Sequence, residues 1–199
     1  MYYLLKLSRN FRMKNYPRYL VFISMMFSSS LLLAQRAGLT FGVSQVQVAG
    51  DTGIDVSSSG SYQLGALFYQ PMAESFEVRV GALLHQQSLT VTASGNDTTL
   101  NLSNVNVPLT AGYKFGERFL IFAGPVLSVN ANKSCKSTAS CSMSSYKVKG
   151  TDVLLSLGGQ AQLTESIGLE VSYDRMNGKP FEGTTGGQMI NVNFQYIIE

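Results

Sequence analysis

The sequence predicts an all-β fold, an eight-stranded antiparallel up-and-down β-barrel that crosses a membrane. Three observations predict it. Apolar and polar residues alternate with a period of two in eight segments between residue 35 and the end of the chain. The connections between these segments are alternately long and short. A segment with the pattern of an export signal precedes the first strand.

The composition is typical of a strand-rich, exported protein. Hydrophobic residues make up 45% of the 199 residues and charged residues only 14%, whereas about a quarter of an ordinary soluble domain is charged. Residues 1–34 carry five of the 15 basic residues and none of the 12 acidic ones, so the rest of the chain has ten basic and twelve acidic residues. Because that part is slightly acidic, we expect no nucleic-acid partner.

Residues 1–34 have the pattern of a signal peptide. Two basic residues precede an apolar run over residues 19–27, and a serine stretch, three leucines and Ala34 follow. This order indicates a cleaved secretory signal, and we predict cleavage after Ala34. Met13 is the expected start of translation, with residues 1–12 a non-native extension. The alternative is a transmembrane helix, which needs about 20 apolar residues, more than this run provides.

Residues 35–199 are predicted to form one barrel domain. The last strand alternates most clearly, with Val192 and Phe194 on one face and Asn191 and Asn193 on the other. Strands two and five alternate less cleanly. Strand one changes phase, because its apolar residues have odd numbers up to Val43 and even numbers from Val46 onward. A β-bulge between them would reconcile the two halves.

The connections differ in length at the two predicted ends of the barrel. The short ones follow strands two, four and six, over residues 70–74, 116–118 and 164–166. The long ones follow strands one, three, five and seven, over residues 49–60, 87–103, 131–149 and 176–187. In an up-and-down barrel, alternate connections lie at the same end. Transmembrane barrels have short periplasmic turns and longer outer loops, so both termini are expected at the periplasmic end.

The two faces of the strands differ in chemistry. One face is aliphatic and aromatic, and the other carries charged residues that we expect to meet inside the barrel: Glu77, Arg79, Lys114, Glu170 and Asp174. A soluble, lipocalin-like barrel would bury the apolar face, whereas a membrane barrel turns it toward lipid. The signal, the strand number and the unequal loops favour lipid outside. Because eight strands leave room only for side chains, a polar plug is predicted; a conducting path is the alternative.

A few other residues have side chains that could form a disulfide, bind a metal or act in catalysis. Cys135 and Cys141 lie in the longest connection of an exported chain, so we expect a disulfide between them. His85 is the one histidine, and a metal site would need more ligands. His85 and Ser88 could form a hydrolase pair at the rim, but three residues along a strand put them on opposite faces. No catalytic, cofactor-binding or metal-binding residue is therefore predicted.

The stretch from Val105 to Val129 carries a family resemblance. It combines a strand with an internal proline, a tight turn, and Ala-Gly-Pro in the next strand. It resembles the outer-membrane β-barrel (porin-like) domain family, similar to OmpA/OmpX-type small eight-stranded barrels, and the resemblance extends over residues 39–199. It implies an integral outer-membrane protein inserted by the barrel-assembly machinery. That machinery reads a terminal aromatic residue in many members, whereas this chain ends Ile197-Ile198-Glu199.

Together these features predict a monomeric, non-enzymatic protein of the bacterial outer membrane with a plugged lumen. Its role would be structural, or would depend on contacts of its long outer loops with an extracellular partner. Its other expected partners are outer-membrane lipid and the assembly machinery, and no cofactor is expected. One alternative is a small porin or ligand-binding barrel for small solutes. A second alternative is a lipid-modifying enzyme at the rim.

Overall fold

The computed structural model describes residues 36–51, 53–93, 96–137, 148–182 and 184–198. They form eight antiparallel strands: β1 (Arg36–Gly50), β2 (Ile54–Pro71), β3 (Phe76–Ala93), β4 (Asn96–Phe115), β5 (Phe119–Ser137), β6 (Thr151–Gln162), β7 (Ile167–Met176) and β8 (Thr184–Ile198). Each strand pairs with the next, and β8 pairs with β1 to close a barrel. The predicted fold class is confirmed. Among the described residues, no helix is long and apolar enough to cross a membrane.

One end of the barrel, which we name the turn end, carries three short connections. They span residues 72–75, 116–118 and 163–166, close to the predicted short turns. β1 begins and β8 finishes at this end, because Ala37 pairs with Ile198. The opposite end, which we name the loop end, carries the other four connections. The predicted signal peptide and its cleavage site at Ala34 lie outside the described residues.

Toward the turn end, the outer face is apolar and the lumen is polar. Exposed apolar side chains on the outer face include Leu39, Phe41, Val43, Leu64, Phe76, Leu109, Ile121, Val171, Val192 and Phe194. Buried polar side chains on the inner face include Thr40, Gln63, Glu77, Arg79, Asn106, Glu170, Asn191 and Gln195. On β3 the apolar outer band covers nine residues, from Phe76 to Leu84. A tilted transmembrane strand needs about 9–11 residues, so the band has the length of a membrane crossing.

Toward the loop end, the polarity of the two faces is exchanged. On β3 the outward residues change from Leu84 to Gln86, and three residues further the inward ones change from Gln87 to Leu89. The inward residues here form a hydrophobic cluster, which we name the loop-end core: Val46, Val48, Leu89, Val91, Leu100, Leu102, Val126, Leu154, Phe181 and Met189. This part of the barrel therefore has the polarity of a soluble protein, with an apolar interior and a polar surface.

The prediction of a bulge in strand one between Val43 and Val46 is wrong. Buried and exposed residues alternate without interruption from Gly38 to Ala49, with Val46 inside and Gln45 outside. The apolar residues change parity because the solvent outside the strand changes, while the backbone continues regularly. Register shifts occur at other places, in β1 between Ala49 and Gly50, in β2 between Ser58 and Gly60, and in the pairing of β4 with β5 between Ser103 and Asn104.

The predicted lengths of two of the four long connections are also wrong. β1 and β2 are joined across residues 51–53, and β3 and β4 across residues 94–95. Residues 49–60 and 87–103 were predicted as loops because they are rich in Ser, Thr and Asn. In the structure, polar residues such as Ser57, Thr90 and Thr99 lie on the outer side of strands whose other side packs in the loop-end core. The connections between β5 and β6 and between β7 and β8 remain, over residues 138–150 and 177–183.

The loop-end core makes a prediction about stability. Leu100 is completely buried in it, so Leu100→Ala should lower the free energy of unfolding by about 2–5 kcal/mol, from lost transfer energy and a cavity. Its neighbour Thr99 lies on the outer face, and Thr99→Ala should change the value by no more than about 0.5 kcal/mol. Urea unfolding from phospholipid vesicles measures both. Equal effects would contradict a packed core at this end.

Candidate functional site in the barrel lumen

An ion pair spans the polar part of the lumen. Arg79 extends from β3 and Glu170 from β7, which lie four strands apart in a ring of eight and therefore face each other. The Arg79 guanidinium donates a hydrogen bond to the Glu170 carboxylate, and both side chains are almost completely buried, at 3% and 6% exposed. Charges removed from water in this way need both a partner and further hydrogen bonds.

Two aromatic rings complete the surroundings of Arg79. The guanidinium carbon lies 3.8 Å from the centroid of the Phe122 ring on β5 and 5.6 Å from the centroid of the Tyr69 ring on β2. Arg36 lies 5.6 Å from the same Tyr69 ring. Ring faces attract cations, most strongly where water is excluded. Arg79 is therefore held by groups from β2, β5 and β7 at once.

Amide side chains complete the surroundings of Glu170. Asn193 donates to its Oε1 at 3.1 Å, and Gln195 donates to its Oε2 at 2.6 Å. The Tyr69 hydroxyl donates to Gln195 at 2.8 Å, and Gln63 donates to Asn193 at 2.7 Å. Hydrogen bonds to a carboxylate are about twice as strong as those between neutral groups. We name these side chains, with Arg79, the central network.

A second charged group lies closer to the turn end. The Glu77 carboxylate is buried, and it accepts hydrogen bonds from Arg36 at 2.8 Å and from Lys114 at 2.9 Å. Both cations are partly exposed to the lumen mouth. Arg36 was missed in the sequence, because it lies before the first recognised apolar residue and beside the predicted cleavage site. Its even number, shared with the inward-facing Thr40, was the available signal.

Asp174 lies beside the same small cavity as Arg79 and Glu170, outside the ion pairs. It accepts a hydrogen bond from Asn191 at 2.7 Å, and among the described residues it forms no salt bridge. The structure thus places all five predicted charged residues in the lumen and joins four of them in two groups. With Arg36 included, this set consists of three acidic and three basic side chains. Tyr69 and Phe122 were also missed, since aromatic residues were assigned to the lipid side.

The remaining candidate residues are placed as follows. His85 is buried inside the barrel, whereas Ser88 lies on the outer face and donates to Asn101 at 2.9 Å. The two side chains cannot act as a pair. Cys135 lies in β5, packed against the loop-end core, and Cys141 lies outside the described residues, so their disulfide remains a prediction. The described residues contain no group of three metal-binding side chains.

Aromatic residues mark both limits of the apolar outer band. Near the turn end, Phe76, Tyr113 and Phe115 stack edge to face, with centroids 4.9 and 4.8 Å apart. Near the exchange of polarity, the hydroxyls of Tyr62 and Tyr173 donate to Gln86 and Gln188. Outer-membrane barrels carry aromatic girdles at both interfaces, and tyrosine suits a position with an apolar ring and a hydrated hydroxyl.

Comparison with known families agrees with this geometry. The family described as outer membrane protein beta-barrel domain matches residues 28–175, about three quarters of the chain. The chain belongs to this family. As a member, this outer-membrane barrel is an integral protein of the bacterial outer membrane, and its apolar band contacts lipid. The resemblance and the location predicted from the sequence are confirmed.

A solved structure shows the same fold at low sequence identity. The outer-membrane barrel matches AlkL, an outer membrane protein solved by solid-state NMR in DMPC lipid bilayers, with a TM-score of 0.51 and 13% identity over 82% of this chain and 90% of AlkL. It also matches OprG from Pseudomonas aeruginosa, with a TM-score of 0.49 and 14% identity over 83% of this chain and 97% of OprG. Similarity at this distance shows the fold alone. No curated protein sequence matches significantly.

The central network predicts a large effect of removing one charge. Glu170→Gln should lower the free energy of unfolding by about 3–5 kcal/mol, because it leaves the Arg79 charge buried without its partner. Glu117→Gln is the control, since Glu117 is exposed in a turn and the change should cost no more than about 0.5 kcal/mol. Unfolding in urea from vesicles measures both. Indistinguishable losses would mean that the Arg79–Glu170 ion pair contributes nothing to stability.

Proposed function

We propose that this protein is a non-enzymatic outer-membrane barrel with a closed lumen. Its role is structural, or depends on interactions of its loop-end surface with a partner outside the cell. The observation that carries the proposal is the Arg79–Glu170 ion pair, which joins opposite walls of the barrel. Because such contacts fill the interior of the barrel, the outer surfaces are the part of the protein that can bind a partner.

The space left inside the barrel supports closure. A cavity of about 30 Å³ lies beside Arg79, Glu170 and Asp174, and another of about 50 Å³ lies beside His85 under the loop-end core. A water molecule needs about 10–15 Å³ by this measure, so each cavity can hold a few waters. Phe181, from the connection between β7 and β8, is buried in the loop-end core. A polar layer and an apolar layer thus lie in series along the lumen.

A small porin or ligand-binding barrel is the second candidate. A cavity of about 370 Å³ opens at the turn end and reaches Arg36, Glu77 and Lys114. A small solute entering there would meet charges of both signs. Passage to the other end would require Arg79 and Glu170 to separate. We do not propose the rim enzyme, because His85 and Ser88 lie on opposite faces of β3.

We further propose that the turn end faces the periplasm and the loop end faces the outside. Short turns and both termini at the periplasmic side are typical of outer-membrane barrels. The exchange of polarity supports this orientation, because the strands continue beyond the apolar band only toward the loop end. Residues such as Gln45, Gln86 and Thr90 then lie in water above the outer leaflet.

Recordings of single channels test the closed lumen. Purified protein inserted in a planar bilayer should give no reproducible conductance steps, because the central network joins opposite walls of the lumen. An open porin in the same bilayer controls for the recording, and a gel shift on boiling shows that the barrel is folded. Reproducible conductance steps from folded protein would contradict the closed lumen and would favour the small porin.

Epitope insertion tests the orientation. A short tag between Ser94 and Gly95, in the connection between β3 and β4, should bind antibody on intact cells. The same tag after Gly116, in a turn, should bind only after the outer membrane is permeabilised. Since both insertions lie in connections of one barrel, they form a matched pair. The reverse pattern would invert the proposed topology.

A further inference from the structure

The barrel wall is incomplete on one side at the loop end. β7 pairs with β8 as far as Arg175 and Gln188, whereas β8 continues to pair with β1 up to Thr184 and Gly50. The first residues of β8 therefore have no strand beside them on the β7 side. A cavity of about 910 Å³ occupies this place, and its lining includes Gln47, Tyr173, Arg175, Gly178, Gly187 and Gln188.

This cavity lies at the level where the outer face changes from apolar to polar. Leu155 and Tyr173 contribute its apolar part, at 59% and 39% exposed. The Tyr173 hydroxyl donates to Gln188 at 2.8 Å, and the Gln188 amide donates to Gln47 at 2.6 Å. This chain of hydrogen bonds ends on the Gln47 amide, whose N–H groups can donate further. The cavity therefore borders the acyl chains on one side and the head-group layer on the other.

One cationic side chain, Arg175, lines the cavity, and a second lies beside one of its glycines. Arg175 is exposed on the outer face of β7, and among the described residues it forms no ion pair. The Lys149 ammonium lies against Gly178, since a Cβ added to that glycine would be 3.0 Å from Nζ. Asp152 lies 3.5 Å from the same ammonium and offsets part of its charge. Lys149 and Asp152 line the cavity beside His85 instead, so Arg175 is the cation that lines this cavity.

We propose that this cavity binds the phosphorylated head group of an outer-leaflet lipid. Arg175 contacts the phosphate, because a guanidinium can bind two phosphate oxygens at once. Gln47 donates to the remaining polar groups, and the acyl chains lie along Leu155 and Tyr173. Free phosphate would use the same cation but none of the apolar lining, so the position favours a lipid.

The assignment of the lipid to the outer leaflet rests on the proposed orientation of the barrel, whereas the binding site does not. A test in detergent micelles separates the two, because micelles have no sides. Native mass spectrometry of the purified full-length chain, titrated with lipid A, measures binding of one phosphorylated lipid. Dephosphorylated lipid A tests the need for phosphate, and inorganic phosphate tests the soluble source. A gel shift on boiling verifies that each variant is folded.

The expected result is saturable binding of lipid A that is stronger than binding of the dephosphorylated form. Arg175→Gln should weaken it about tenfold, a loss of about 1.4 kcal/mol. Arg118→Gln is the control, because Arg118 is exposed in a turn at the other end, and it should bind like the wild type. If Arg175→Gln does not fold, Gln47→Ala should show a weakening in the same direction.

Three results would overturn the proposal. The first is equal binding of lipid A and its dephosphorylated form. The second is equal binding by the Arg175→Gln and Arg118→Gln variants. The third is displacement of lipid A by inorganic phosphate that binds as tightly as the lipid, which would assign the cavity to a soluble anion.

Discussion

A strand inside the hydrocarbon layer finds no water for its backbone N–H and C=O groups, so each group must bond to a neighbouring strand. Pairing of β8 with β1 meets this requirement for the first and last strands. Closure with eight strands also makes the interior narrow, so the barrel's own side chains fill it. The central network follows from this constraint: polar residues that must face inward have only one another as partners, and Arg79 meets Glu170 across the lumen.

The same strands pass through two solvents, and their side chains exchange roles where the solvent changes. In the apolar band, leucine, valine and phenylalanine face lipid and amides face inward. Above the band the amides and hydroxyls face water, and Leu89, Leu100 and their neighbours pack inside. Burial of apolar area can therefore stabilise the part of the barrel that lies outside the membrane. The gap between β7 and β8 lies at this transition, where an opening in the wall meets both acyl chains and head groups.

Periodicity in the sequence predicts the strands, the three short turns and the lumen position of the charged residues. It does not predict which strands lie opposite each other. The pairing of Arg79 with Glu170 therefore became visible only in the structure of the closed barrel. Arg36 was missed because it lies beside the predicted cleavage site. Tyr69 and Phe122 were missed because aromatic residues were expected to face lipid. Residues 87–103 were assigned to a loop from their composition, although Leu89, Val91, Leu100 and Leu102 keep the spacing of strands. The position beside the cleavage site, the assignment of aromatic residues to the outside, and composition thus caused three separate errors.

Accessibility of spin labels along β1 tests the change of solvent most directly. Single labels would be placed at the outward positions Leu39, Phe41, Val43, Gln45, Gln47 and Ala49, in a chain whose two cysteines are replaced by serine. In lipid vesicles, labels at the first three positions should be relaxed mainly by oxygen, which concentrates in acyl chains. Labels at the last three should be relaxed mainly by a water-soluble nickel chelate. Equal relaxation by the chelate at all six positions would contradict a lipid-facing band that ends after Val43.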